Sequence, residues 1–259
     1  MIRYSKTKVV ILIIVVLVLW IAVRCGISLP LSARSGAHVT IDGDGLTIHS
    51  RGCDLVVGPS SDDLVHVEGD GETRTIAQGT VRTYTDDVVT VLVPASATGL
   101  FLDATGSIDV AGMDVDSLEL ATVDGKLSLS GCSARQASVT TIDGDVCITG
   151  SSFSLLSIHA IDGDIDIAQC DVDDIDGTTV DGDINISLSS FQTISVSTVD
   201  GDIILDADGL SEATLTLDDS SASRTIRGLS DKRVEASTVS GKVEILQDGM
   251  PSDLDDTAR

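Results

Sequence analysis

The chain of 259 residues is strongly acidic, with 16 Lys and Arg against 41 Asp and Glu and a formal net charge of -25 at pH 7. A surface of this charge repels nucleic acids and anionic membranes, so the composition argues against a nucleic-acid-binding protein. Hydrophobic residues make up 42% of the chain and aromatic residues only 2%, which indicates a folded protein with a thin, aliphatic core.

The first recognisable element is an unbroken apolar run at residues 9–23, preceded by Arg3, Lys6 and Lys8 and followed by Arg24. We expect a cytoplasmic flank over residues 1–8 and a transmembrane signal anchor over residues 9–29, with the acidic body exported. A cleaved signal peptide is the alternative, which an Arg directly after the run disfavours. The predicted location is the cell membrane, with a single-pass anchor and an extracytoplasmic C-terminal domain.

Residues 34–100 carry only an echo of the pattern that follows, at Asp42-Gly43-Asp44. We expect them to form irregular first coils that cap one end of the domain.

A 19-residue repeat fills the next part of the chain. Its glycines lie at 125, 144, 163, 182 and 201, each in a unit of the form T-[VI]-D-G-D-[IV] with small variations. One step upstream reaches Gly106, and a second reaches Asp87, which predicts that the register extends to Asp87. Downstream, the step to Ser220 falls in a degenerate segment and the unit returns at Gly241, so we expect one coil with a two-residue insertion.

The columns of the repeat predict stacked strands. Apolar residues alternate with polar ones inside each coil, and β-branched residues dominate. Because one repeat is too short to hold a βαβ unit, equivalent segments must stack as parallel strands. The predicted fold is all-β, a single-stranded parallel β-solenoid (β-helix) of regular repeats over residues 101–247, preceded by one transmembrane helix. Three apolar columns are expected to stack: Val123, Ile142, Ile161, Val180, Val199; Leu127, Val146, Ile165, Ile184, Ile203; and Leu129, Ile148, Ile167, Ile186, Leu205.

The recurring Asp-Gly step is interpreted as a corner, in which Gly supplies a positive φ and Asp hydrogen-bonds local backbone. Stacked carboxylates about 4.8 Å apart repel by roughly 0.9 kcal/mol per pair in water, so exposed columns need no ion. Calcium binding by the paired columns is the weaker alternative, because carboxylate oxygens are the ligands that this ion prefers. The calcium candidates are Asp143, Asp145, Asp162, Asp164, Asp181, Asp183, Asp200 and Asp202.

The repeated unit behind a membrane segment resembles the bacterial adhesin-type family of β-strand repeats, also called the toastrack domain, from about Phe101 to Leu246. The resemblance implies an extracytoplasmic β-solenoid, often associated with envelope-stress systems, and carries over no catalytic residue.

We therefore expect a non-enzymatic surface module for binding or sensing, whose partner is an envelope or surface protein or a glycan. The alternatives are a passive stalk or coat, and a polysaccharide-active β-helix enzyme that uses Asp residues. No cofactor other than calcium is indicated, and the five cysteines, without a C-x-x-C pair, predict neither disulfides nor a zinc site. Residues 248–259 lack the repeat and are expected to be disordered.

Overall fold

The computed structural model describes residues 35–85, 87–206, 214–218, 223–226, 233–247 and 250–251. Their regular structure is entirely β, which confirms the all-β prediction. The predicted anchor over residues 9–29 lies outside the described residues. Within the part of the chain that is described, no helix is long and apolar enough to cross a membrane.

The N-terminal part folds into hairpins around one first coil. Its strands are β1 (Gly36–Asp42), β2 (Gly45–Arg51), β3 (Asp54–Pro59), β4 (Val65–Gly69), β5 (Glu72–Ile76), β6 (Gly79–Thr83) and β7 (Val88–Val93). Strands β2 and β3 form the first coil, β1 and β6 add antiparallel strands beside β2, and β7, β4 and β5 extend the sheet beyond β3.

The body of the solenoid consists of parallel strands that recur once in every repeat. These strands are β8 (Gly99–Ala104), β9 (Ile108–Ala111), β10 (Asp114–Asp124), β11 (Leu127–Ser130), β12 (Ser133–Asp143), β13 (Val146–Thr149), β14 (Ser152–His159), β15 (Ile165–Thr178), β16 (Ile184–Ser190), β17 (Thr193–Ser197) and β18 (Ile203–Asp206). Strands β2, β8, β10, β12, β14, the end of β15 and β17 stack as the first ladder. Strands β3, β9, β11, β13, the start of β15, β16 and β18 stack as the second ladder.

The C-terminal strands close the other end. They are β19 (Thr214–Asp218), β20 (Ser223–Ile226), β21 (Arg233–Ser237), β22 (Val243–Gln247) and β23 (Met250–Pro251). Strand β21 lies between β17 and β19, β20 pairs with the outer side of β19, and β22 stacks on β18. Met250 and Pro251, in the tail that was expected to be disordered, pair antiparallel with β22. The rest of that tail, residues 248–249 and 252–259, lies outside the described residues.

The core is a thin filling of aliphatic side chains between the two ladders. Both predicted columns of the second ladder, from Leu127 to Ile203 and from Leu129 to Leu205, are buried. The first ladder contributes inward columns that begin at Leu46 and Ile48 and continue through Leu118 and Leu120. The period-two pattern therefore identified the strands and their buried side correctly where the chain runs straight.

Two predictions about the ends of the repeat are wrong. The register does not step directly from Gly106 back to Asp87, because Leu55 of β3 pairs with both Ile108 and Val89, so that the first coil lies between β9 and β7 in the second ladder. Downstream, Ser220 itself lies outside the described residues, but Asp200 bridges directly to Ser240. The stack therefore continues from β17 to β21 in a single step, rather than through an intervening coil with a two-residue insertion.

Candidate functional site

The T-[VI]-D-G-D unit forms the corner between the two ladders in every regular coil. The glycine has a positive φ, for example 149° at Gly144 and 143° at Gly163, as the sequence predicted. A Cβ on Gly163 would also lie inside van der Waals contact of the carbonyl oxygen of Gly144 in the preceding coil. Glycine is therefore required for two reasons, the left-handed backbone and the direct stacking of one corner on the next.

The threonine of the unit is buried and donates a hydrogen bond in four coils, whereas Oγ1 of Thr141 is buried without a partner among the described residues. The Oγ1 atom of Thr198 donates to the carbonyl oxygen of Gly182 at 3.1 Å, and Thr179 and Thr238 make the same bond to Gly163 and Gly201. These hydroxyls satisfy carbonyl groups at the corner that would otherwise be desolvated without a partner. Sequence reasoning missed this role, although its signal was present in the recurrence of Thr at an inward position.

The second Asp of the unit caps the backbone of the following coil. In the second Asp column, Oδ1 of Asp164 accepts a hydrogen bond from the N–H of Asp183 at 2.8 Å. The same bond joins Asp145 to Asp164, Asp183 to Asp202 and Asp202 to Lys242, where the column ends. A hydrogen bond to a charged group contributes roughly 1.5 kcal/mol or more, which exceeds the repulsion of about 0.9 kcal/mol between neighbouring carboxylates. The hydrogen bonds along the column therefore offset the repulsion between its carboxylates.

The first Asp column, Asp124, Asp143, Asp162, Asp181 and Asp200, bridges from coil to coil through its backbone. Its side chains are exposed and make no hydrogen bond or ion pair with any residue that the structure describes. Four calcium candidates thus lie in each Asp column, and four of the eight already use one carboxylate oxygen for a backbone N–H. Among the described residues, no three His, Cys, Asp or Glu side chains are grouped closely enough to hold a metal ion.

The apolar residue of the unit points away from the core. Val123, Ile142, Ile161, Val180 and Val199 stack at successive corners but are only half-buried, and Val239 is 53% exposed. We refer to these six side chains as the apolar stripe. This column stacks from coil to coil as expected but does not lie in the interior, because alternation along the first ladder turns the position after the buried Thr outward.

A second turn, which the sequence reading overlooked, follows the short strand of each coil. Gly112, Gly131 and Gly150 have φ values of 65°, 60° and 58°, and the non-glycine Gln169 adopts 56° at the equivalent position. These residues also recur with the period of the repeat, so the glycine spacing alone carried the signal. The turn directs the chain from the second ladder back toward the first.

The histidines are not arranged as a catalytic set. His159 lies on the outer side of the first ladder, with Nδ1 2.8 Å from Oγ1 of Thr178 and Nε2 3.2 Å from Oγ of Ser157. Burial lowers the pKa of His159, against the opposing effect of the Asp176 carboxylate. In the N-terminal part, Nδ1 of His49 lies 3.4 Å from Oδ2 of Asp103. The four cysteines in the described part of the chain are free thiols, as predicted.

The period and the corner geometry agree with one known family. A family model described as Toastrack DUF4097 matches residues 90–246 of this chain. The chain belongs to the toastrack family. The matched segment covers the parallel body of the solenoid from β7 into β22 and excludes most of the hairpins of the N-terminal part. No curated protein and no solved structure matches the chain significantly.

Proposed function

We propose that this toastrack protein is a non-enzymatic binding or sensing module of the bacterial cell envelope. One observation carries the proposal. The recurring Gly and Thr residues and the second Asp column all serve the corner backbone, whereas the first Asp column makes no side-chain hydrogen bond or ion pair with the described residues and the apolar stripe is left partly exposed. Regular outer columns of this kind suit recognition of an extended partner along the solenoid axis.

The proposed location is the outer side of the cell membrane, with residues 9–29 as the anchor. The support comes from the apolar run and its basic flank, Arg3, Lys6 and Lys8, which favours retention of the N-terminus in the cytoplasm. The partner would then be an envelope or surface protein or a glycan. The net charge of -25 disfavours nucleic acid.

A saturable partner separates this function from that of a passive stalk. The full chain, carrying a photo-crosslinking residue in place of Thr178 on the outer side of the first ladder, is expressed in its own membrane and irradiated. A binding module gives one crosslinked species in a fixed ratio, which an excess of unlabelled exported domain competes away. Crosslinks that are diffuse and not competed would assign the chain to the structural class.

A polysaccharide-active enzyme is the competing function. A glycosidase needs two carboxyl groups with different environments, one kept protonated and one ionised. In this chain the corner repeats the same surroundings around Asp162 and Asp181, which does not favour such a division of roles. Release of reducing ends from a polysaccharide, abolished by Asp162→Asn or Asp181→Asn in a folded variant, would overturn the non-enzymatic proposal.

Calcium binding stays a prediction with a direct test. A ligand that binds only the folded state must raise the unfolding midpoint in a saturable manner. Thermal unfolding of the full chain in detergent is followed by circular dichroism, first with calcium and then with a chelator. We expect no rise in the unfolding midpoint beyond that produced by a calcium-free salt of equal ionic strength. A saturable rise would make the Asp columns metal ligands.

A further inference from the structure

We infer that the apolar stripe and the first Asp column together form a docking surface for a cationic, apolar segment of a partner protein. The inference rests on the proposed binding function and deepens it by naming the surface and the chemistry of the partner. The two columns are adjacent in every regular coil, as in Ile142-Asp143 and Ile161-Asp162. They therefore form a continuous ridge along the corner.

The stripe needs an explanation because the fold does not require it. Strand propensity alone would also allow Thr, which occurs in the next outward column of the same ladder at Thr140 and Thr178. The stripe instead carries Val or Ile in five successive coils and continues to Val239 after the long step from Asp200 to Ser240. An apolar column that is partly exposed in five successive coils and 53% exposed at Val239 is consistent with an interaction surface.

Geometry makes the stripe continuous. The N–H of Asp162 donates to the carbonyl oxygen of Ile142 at 2.9 Å, and the N–H of Asp181 makes the same bond to Ile161. Ser240 is joined to Val199 in the same way, so Val239 continues the column across the long step. At about 4.8 Å per coil the six side chains extend over about 24 Å, which a peptide of seven or eight extended residues would cover, since each adds roughly 3.3 Å.

Charge selects the partner. Residues 87–206 contain 21 Asp and Glu against two basic residues, Lys126 and Arg135, a net charge of -19. This charge repels a second copy of the chain, a nucleic acid and an anionic lipid surface. The carboxylates of the first Asp column have no partner in the described part of the chain, so Lys and Arg side chains can pair with them without displacing an existing contact.

The two columns select different properties of the same segment. Apolar side chains of the partner would cover the stripe and remove its half-exposed surface from water. Lysine or arginine side chains on either side would reach the first Asp column, which gives salt-dependent attraction and orientation. A segment that alternates basic and apolar residues satisfies both requirements, whereas a purely basic segment satisfies only one.

The test uses the full chain in detergent and defined peptides of about eight residues, the length set by the stripe at roughly 3.3 Å per residue. One peptide alternates Lys and Leu, a second alternates Lys and Ser with the same charge, and a third alternates Glu and Leu. We expect the Lys-Leu peptide to bind at least about tenfold more tightly than the Lys-Ser peptide, and the Glu-Leu peptide not to bind. Equal binding of the two lysine peptides would overturn the inference.

Matched variants locate the surface. The stripe variant, in which three stripe residues become Thr, should weaken binding of the Lys-Leu peptide at least about tenfold. The column variant, in which three residues of the first Asp column become Asn, should also reduce the salt dependence of that binding. The control variant removes the same number of charges from exposed positions elsewhere and should leave affinity nearly unchanged. Unfolding midpoints must stay close to that of the unaltered chain in all three. The stripe variant is Ile142→Thr, Ile161→Thr, Val180→Thr; the column variant is Asp143→Asn, Asp162→Asn, Asp181→Asn; the control is Asp114→Asn, Asp171→Asn, Asp174→Asn.

The outcome also separates this inference from the proposed function. If the photo-crosslinking experiment finds a saturable partner whose crosslinks survive in the stripe variant, the binding function stands and the docking surface is elsewhere. Peptide binding that falls equally in the column and control variants reports only total charge and would also refute the surface assigned to the corner.

Discussion

The carboxylate of Asp164 and the backbone N–H of Asp183, one coil further along the chain, are joined by a hydrogen bond of 2.8 Å. Because the second Asp column accepts hydrogen bonds from backbone N–H groups, the acceptor oxygen of each Asp should matter more to stability than its negative charge. Asp164→Ala is expected to lower the free energy of unfolding by about 1–2 kcal/mol through loss of the cap.

The matched variant Asp164→Asn should be nearly neutral, because its Oδ1 can still accept the hydrogen bond and the repulsion by Asp145 and Asp183 disappears. Urea unfolding of both variants at low and at moderate salt measures the difference. If the Asn variant is as unstable as the Ala variant, the negative charge itself is required, and a bound cation becomes the better explanation of the column.

The corner glycines should be far less tolerant than the glycines of the second turn. At Gly163 an added Cβ meets the carbonyl oxygen of Gly144, whereas at Gly150 it meets no heavy atom within 4 Å. Both have a positive φ, 143° and 58°. We expect Gly150→Ala to cost about 1–2 kcal/mol and Gly163→Ala at least about 3 kcal/mol, or to prevent folding.

Denaturant unfolding followed by circular dichroism compares the two glycine variants directly. Equal costs at both positions would mean that backbone conformation alone determines the requirement and that the close stacking of corners is relieved by small shifts.

One coil lacks the threonine that closes the corner, and restoring it should stabilise the protein. Ala160 is buried in the column that holds Thr141 and Thr179 in the neighbouring coils. In Ala160→Thr, the new hydroxyl can donate to the carbonyl oxygen of Gly144, as Thr179 does to Gly163 at 3.2 Å. A gain of about 0.5–1.5 kcal/mol is expected from urea unfolding. A loss of stability would show that this coil is too tightly packed to accept the larger side chain.

How far the sequence predicted this structure depends on whether a segment repeats. Columns such as Leu127 to Ile203 were placed correctly because a constant repeat length and a period of two fix both the neighbours and the buried side. The orientation of Ile142 was not predicted, because it precedes a corner where the chain changes direction and apolar character no longer implies burial. The strands β4 to β7, between Pro59 and Val93, contain no repeat, so no column predicted their partners.

The same reasoning explains the error near the C-terminus. Counting forward by one repeat from Gly201 assigns Ser220 to a coil, but the described strands of that segment, β19 and β20, pair outside β21 and leave the stack to continue at Ser240. Spacing cannot show that β21 pairs with both β17 and β19. Either β19 or β21 has the right length and alternation to lie beside β17.

A crosslink can test the long step in the stack. Asp200 and Ser240 are bridge partners, so cysteines at these two positions should lie about 5 Å apart and form a disulfide on mild oxidation. The control pair Asp162→Cys and Asp200→Cys is two coils apart, at roughly 9.6 Å, and should stay reduced. Cys147→Ser serves as the background for both pairs, because Cys147 is the least buried thiol in the described part of the chain.

Mass spectrometry of the oxidised chain scores the crosslink. A disulfide between positions 200 and 240 supports direct stacking. A third variant carries Asp200→Cys with Ser220→Cys. If this variant forms a disulfide and the pair at 200 and 240 does not, the coil with a two-residue insertion is the correct description.

Because of His159, the free energy of unfolding should depend on pH in the range below the ordinary pKa of histidine. Burial lowers the pKa of His159 in the folded protein below the ordinary histidine value of 6.5, so the unfolded chain takes up this proton first as the pH falls. Stability is therefore unaffected by this group above about 6.5 and declines as the pH drops from there to the folded pKa. His159→Thr, which continues the column of Thr140 and Thr178, should flatten that part of the profile. A smaller slope should remain, because the pKa of His38 is also lowered, by burial and by Arg82.

Urea unfolding from neutral to mildly acidic pH measures the profile, and NMR titration of the imidazole protons measures the folded pKa. Titration of His159 above its ordinary value would show that the Asp176 carboxylate outweighs burial, and the decline with falling pH would then become a gain.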